Sequence, residues 1–79
     1  MFYVYVLRSE KTGRFYTGSC ADLEDRLRRH NAGQSLATRH GVPWRLVHWE
    51  GFPTRAEAVR RERELKTGRG RDELGRMLG

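Results

Sequence analysis

Tyr5 stands in the run Tyr3-Val4-Tyr5, and Tyr16 in the run Tyr16-Thr17-Gly18, eleven residues on. A buried phenol needs a partner for its hydroxyl, so such a repeat is either packing or a site. Glu62 is a second anomaly. In the stretch 55–66, Ala58, Val59 and Leu65 mark the apolar side of a helix, and Glu62 falls among them. Arg60, Arg61 and Glu64 have freer directions. A carboxylate in that position calls for an ion pair, or for a metal or catalytic role. Arg26 and His30, four residues apart, share one flank of an earlier helix. Phenols, a guanidinium, an imidazole and an inward carboxylate can grip phosphate, move protons and anchor a cation.

The elements that must position these groups follow from local pattern. Residues 2–8 are aromatic and β-branched, and Phe15 to Ser19 forms a second short strand. Pairing Tyr5 with Tyr16 and Val6 with Phe15 leaves a loop from Ser9 to Thr12. Both tyrosines then share one face with Tyr3, while Phe2, Val4, Val6 and Phe15 line the other. With bulk on both faces, the sheet is expected to be covered on both. Asp22 caps a helix from Leu23 to about Asn31 that Gly33 ends, with Leu23, Leu27 and His30 inward. Gln34 to Pro43 reads as a polar, basic loop, and Trp44 to Glu50 as a third strand. Thr54 caps a helix over residues 55–66. Thr67-Gly68-Arg69-Gly70 breaks it, and a last helix runs from about Arg71 to Leu78. Gly18 leaves room for a phosphate or a helix to approach.

The chain has 79 residues, the length of one domain, with a net charge of +6. Its 16 basic residues are nearly all arginine and are shared evenly between residues 1–54 and 55–79, so the charge belongs to the folded body. Nucleic acid is the natural polyanionic partner. The single cysteine, Cys20, excludes an internal disulfide, fits a reducing cytoplasm and lacks any motif for a nucleophile. The apolar start is too short for a membrane span and has no cleavable-leader pattern. His40 and His48 are expected at the surface.

The ordered set of tyrosines, arginine and glutamate resembles the GIY-YIG nuclease superfamily, and the whole chain is similar to its small stand-alone members. Tyr3-Val4-Tyr5 stands where the first motif falls and Tyr16-Thr17-Gly18 where the second falls. Asp22 to Leu27, followed by His30-Asn31 and Gly33, resembles the helix that carries the functional arginine, here Arg26. Thr38, Pro43 to Val47 and Glu50 resemble the third-strand region. Ala58 to Lys66 resembles the helix of the metal-ligating glutamate, here Glu62. Tyr3 replaces the glycine of the first motif and Thr17 the isoleucine of the second; neither change removes a functional group.

The resemblance implies an α+β fold: a three-stranded antiparallel sheet flanked by helices, in the order β-β-α-β-α-α. It also implies a phosphodiesterase with one divalent ion, magnesium or manganese, acting on DNA in repair or recombination. Glu62 would hold the ion, because magnesium keeps most of its waters and a single carboxylate can anchor it. Arg26 would face the phosphoryl oxygens. Tyr5 is the candidate general base, a role in which adjacent cations must activate a phenol of pKa about 10. Tyr16 would position water or phosphate, and His30 would share the base role or orient a tyrosine. Arg28, Arg39 and Arg45 are candidate phosphate contacts. Family members take targeting from appended domains, which leaves room for a protein partner. A non-catalytic nucleic-acid-binding module on the same scaffold is the alternative, and a basic adaptor for an acidic protein is a third reading.

Overall fold

Strand β1 (Phe2–Ser9) carries bulky apolar side chains on both faces, and it takes the middle of the sheet, with β2 (Phe15–Cys20) and β3 (Trp44–Phe52) antiparallel on either side. The computed structural model describes residues 1–78. Helix α1 (Leu23–Asn31) follows β2, and a 3-10 turn at Arg39–Gly41 interrupts the loop before β3. Helices α2 (Arg55–Lys66) and α3 (Gly68–Leu78) end the chain, so the order is β-β-α-β-α-α, as expected.

Alternation along β1 feeds two cores. Val4 and Val6 pack with Ala58 and Leu65 of α2 and Leu74 of α3. Tyr5 and Leu7 face the opposite way and pack with Cys20 and Trp44, next to Leu23 and Leu27 of α1. The sheet is therefore covered on both faces. A register shift between β1 and β3 at Val6/Leu7 leaves Val47 as an extra, unpaired residue of β3; Leu46, opposite Leu7, joins the α1 side and Val47 the α2 side.

The hairpin register differs from the expectation. Tyr5 lies opposite Gly18, Leu7 opposite Tyr16 and Arg8 opposite Phe15, two residues along from the Tyr5–Tyr16 pairing. A shift of two keeps every side chain on its predicted face. The longer loop is closed by Ser9, whose hydroxyl accepts from the backbone N–H groups of Lys11 and Thr12 and donates to the Gly41 carbonyl. Phe15, expected to pack under the helices, is 53% exposed.

Both caps are as read: the Asp22 carboxylate accepts from Asp25 N–H, and the Thr54 hydroxyl from Glu57 N–H. Helix α3 starts three residues earlier than predicted, because Thr67 ends α2 and restarts the helix by accepting from Gly70 N–H. Gly68-Arg69-Gly70, read as part of the break, is thus the first turn of α3. Gly70 is buried, and a Cβ there would run into the backbone of Glu64 and Leu65. Arg61 is also not free. Only 19% of its side chain is exposed, and it bonds Glu50 of β3, Glu73 of α3 and Glu64. His48, expected at the surface, is half-buried on Glu50.

Candidate active site

Tyr16 on β2 and Arg26 and His30 on α1 line one open cleft of about 340 Å³, joined by Arg29, Gln34 and Ser35. The helical spacing of Arg26 and His30 and the two-residue period of the strands bring these groups to the same side. Tyr5 lies behind them. Its hydroxyl is 2.9 Å from His30 Nε2, and its ring centroid is 6.3 Å from that of Tyr16. Tyr16 in turn packs on His30 at 5.1 Å and on Trp44 at 6.4 Å.

Gly18 explains how a tyrosine fits there. A Cβ at Gly18 would lie 2.6 Å from the Tyr5 hydroxyl. The space that glycine leaves is filled by the phenol, not by a phosphate or a helix.

His30 is fixed on both sides. Its Nδ1 is 2.6 Å from the Thr38 hydroxyl, and both residues are buried. Thr38 is held by the next layer: the Trp44 indole N–H donates to the Thr38 carbonyl at 2.7 Å. Asn31, at the end of α1, clamps the Trp44 backbone, donating to its carbonyl and accepting from its N–H. A chain of contacts thus runs from Asn31 through Trp44, Thr38 and His30 to Tyr5. Sequence reasoning placed Thr38 only in a family-like stretch and missed its bond to His30. It also passed over Arg29, although the i, i+3 step from Arg26 was available as a signal.

Burial, with Arg26 second, holds the His30 imidazole below its ordinary pKa, so it is neutral. Burial, followed by Tyr16, pushes the Tyr5 phenol well above its ordinary value, against the opposing pull of the neighbouring Arg26 guanidinium. Tyr5 is therefore a protonated phenol at neutral pH, not one activated by adjacent cations.

Glu62 is on α2, which covers the opposite face of the sheet, and it does not line the cleft. Its side chain is 20% exposed, mostly covered but not enclosed in the core. Its partner is Lys66, whose ammonium donates to Oε2 at 2.7 Å. Burial pushes the carboxyl up, but the Lys66 ammonium, with the nearby Ser19 hydroxyl next, holds it below the usual carboxylate value. Ser19 lies on β2, next to Gly18 and opposite Val4, so the carboxylate is near the strand that carries Tyr16 but on its α2 side. Among the described residues no three His, Cys, Asp or Glu side chains converge on a cation site. An ionised, half-buried lone carboxylate suits an ion that keeps its waters, and magnesium or manganese fits that donor set.

The three candidate phosphate arginines do not converge. Arg28 is exposed and bonded to Asp25; Arg39 is exposed on the 3-10 turn; Arg45 is exposed on β3, opposite Arg8. None lines the cleft, whereas Arg29 does.

Residues 1–73 match the family described as the GIY-YIG catalytic domain. A UPF0213 protein of Haloquadratum walsbyi is 44% identical over 66 residues, covering 82% of this chain and 73% of its own length. A UPF0213 protein of Staphylococcus saprophyticus is 42% identical over 66 residues, covering 82% of this chain and 79% of that one. The solution NMR structure of the UPF0213 protein BH0048 from Bacillus halodurans superposes with a TM-score of 0.59 at 36% identity, covering all of this chain and 87% of that one.

Proposed function

Because the chain belongs to the GIY-YIG family, a nuclease-type family, we propose that it hydrolyses phosphodiester bonds in DNA with one divalent metal ion. The observation that carries this reading is the cleft itself, where Tyr16, Arg26 and His30 converge with the Tyr5 hydroxyl directly behind.

The residues divide the work. Arg26 offers a fixed fork to the phosphoryl oxygens, where negative charge grows in the transition state. Tyr16 orients the phosphate or the attacking water through its hydroxyl. Tyr5 and His30 act as one proton relay. With the tautomer that donates from Nδ1 to Thr38, His30 Nε2 accepts the Tyr5 proton. As Tyr5 takes a proton from water, its own passes to Nε2, and the resulting hydroxide attacks phosphorus. A relay needs no free phenolate, which suits the raised pKa of Tyr5. Glu62 is the residue to hold magnesium or manganese, whose chemistry is polarisation of the phosphate and support of the leaving oxygen. DNA repair or recombination is the natural setting for such a reaction.

A second reading, a nucleic-acid-binding module, is favoured by one observation: the Glu62 carboxylate already has a cation, Lys66. Cleavage assays separate the two. Labelled branched, flapped and linear DNA are incubated with magnesium or manganese and wild type, Glu62→Gln or Arg26→Ala. The nuclease reading expects metal-dependent cutting by wild type and a loss of at least about 100-fold in each variant, the scale of a lost charge stabiliser. DNA bound by all three proteins and cut by none would establish the binding module instead.

A further inference from the structure

A second groove, of about 660 Å³, runs between the outer edge of β2 and the junction of α2 with α3. Leu65 and Leu74 form its floor, and Phe15 stands at its side with more than half of its surface open. Arg14, Lys66 and Arg71 rim it, and among the described residues no carboxylate lines it. Neither Arg14 nor Arg71 has an ion-pair partner among the described residues. The rim thus sets an exposed phenylalanine, with the Arg8 guanidinium 5.8 Å from its ring centroid, beside these two arginines. It matches what an unpaired polynucleotide strand needs: a ring on which a base stacks and charges that follow the phosphates.

The groove also has the right address. Tyr16 lines both it and the catalytic cleft, and Lys66 on its rim bonds Glu62. A strand with a phosphate at Arg26 therefore passes Tyr16 and enters the groove with its next nucleotides. In a duplex the base faces are covered by their neighbours, so Phe15 reaches a π-face only where pairing has ended.

We infer that the β2–α3 groove holds the unpaired strand of a flapped or frayed nucleic acid next to the scissile phosphate, with a base stacked on Phe15. This rests on the nuclease reading for the position of the phosphate and names the substrate class of that site.

The test uses the full chain in EDTA, so that nothing is cut. Fluorescence anisotropy compares a single-stranded flap on a duplex with the same duplex blunt, for wild type, Phe15→Ala and Gly75→Leu. Gly75 is exposed, lines the groove, and has nothing within 4 Å of its Cβ position, so leucine there narrows the groove without a clash. Flapped DNA should bind wild type more tightly than blunt DNA. Both variants should lose about fivefold or more on the flap, the scale of one lost stacking contact, and less than about twofold on blunt DNA. A 2-aminopurine at the first unpaired positions should be quenched by wild type and not by Phe15→Ala. Equal binding of flapped and blunt DNA, or equal losses on both, overturns the proposal. So does a dimer of wild type that Gly75→Leu abolishes, because the free β2 edge would then belong to a second copy. If nothing is cut in magnesium but the flap preference depends on Phe15, the groove stands and the nuclease reading falls. If flapped and blunt DNA are cut alike by wild type and Phe15→Ala, the reverse holds.

Discussion

His30 Nε2 lies 2.9 Å from the Tyr5 hydroxyl, and the other imidazole nitrogen is closed off by Thr38. The ring is buried, and burial together with Arg26 lowers its pKa. An unfolded histidine titrates near pH 6.5. Between that value and the lower folded one, the unfolded chain binds the extra proton, so stability rises with pH. The melting temperature should be flat with respect to His30 above about pH 7 and fall as the pH drops through 6.5. His40→Gln, on the exposed turn, should leave that slope intact. The direct check is the NMR titration of the His30 ring, and a midpoint above the ordinary histidine value would sink both this prediction and the neutral acceptor in the relay.

Gly18 and Tyr5 should be coupled in a double-mutant cycle. Gly18→Ala pushes a methyl against the phenol and should cost about 1–3 kcal/mol, as overpacking does. Tyr5→Phe leaves His30 Nε2 without its partner and should cost about 1–3 kcal/mol. The double variant removes the hydroxyl that the methyl strikes, so its loss should fall short of the sum by about 0.5 kcal/mol or more. Urea denaturation of the four proteins measures this. Strict additivity would mean that Gly18 serves something other than the Tyr5 phenol.

The parts of this fold that depend on neighbours in sequence were legible. Asp22 and Thr54 announce their helices, and both cap as read. The face of each tyrosine was legible because a strand has period two, and a register slip of two leaves it unchanged. The register itself was not, since two tyrosines suit each other as well as a tyrosine suits a glycine until the space above Gly18 is seen. Arg61 was misjudged for a related reason. It lies three residues from Ala58 and four from Leu65, as Glu62 lies four and three, so spacing cannot tell which flank of α2 meets which surface. The start of α3 and the role of Thr38 depend on contacts that helix and strand periodicity do not encode: Thr67 accepts from Gly70 N–H, and Thr38 meets His30 from the loop before β3. A Gly-rich run reads as a break unless one knows that Gly70 is pressed against α2.

Arg61 ties β3, α2 and α3 together through Glu50 and Glu73 and should be the main ionic contributor to stability. Because its side chain is four-fifths covered, Arg61→Met should cost about 1–3 kcal/mol, below the loss for a fully buried pair broken on one side. Burial raises the Glu50 carboxyl, but Arg61 and His48 together hold it below 4.5. Its contribution is therefore complete above about pH 4.5 and disappears as the pH falls through the lower folded value. Arg61→Met should flatten that acid limb in a plot of denaturation midpoint against pH. An unchanged limb would show that Glu50 is held by something other than Arg61.

Lys66 should give changes of opposite sign in metal and DNA binding. Its ammonium sits on Glu62, the carboxylate that would hold a divalent ion, and it also rims the β2–α3 groove. Lys66→Ala removes a competitor for the carboxylate, so manganese alone should bind severalfold more tightly, as read by electron paramagnetic resonance of free manganese. The same change removes a phosphate contact, so DNA affinity in EDTA should fall and the slope of log K against log salt should shrink by about one. Stability should move by less than about 1 kcal/mol, because the pair is exposed on the lysine side and spaced i, i+4. Glu62→Gln is the control: it should lose manganese binding without weakening DNA. A Lys66→Ala protein that binds manganese no better than wild type would show that Lys66 does not compete for Glu62, and the carboxylate would then have to be read as a structural partner of the lysine.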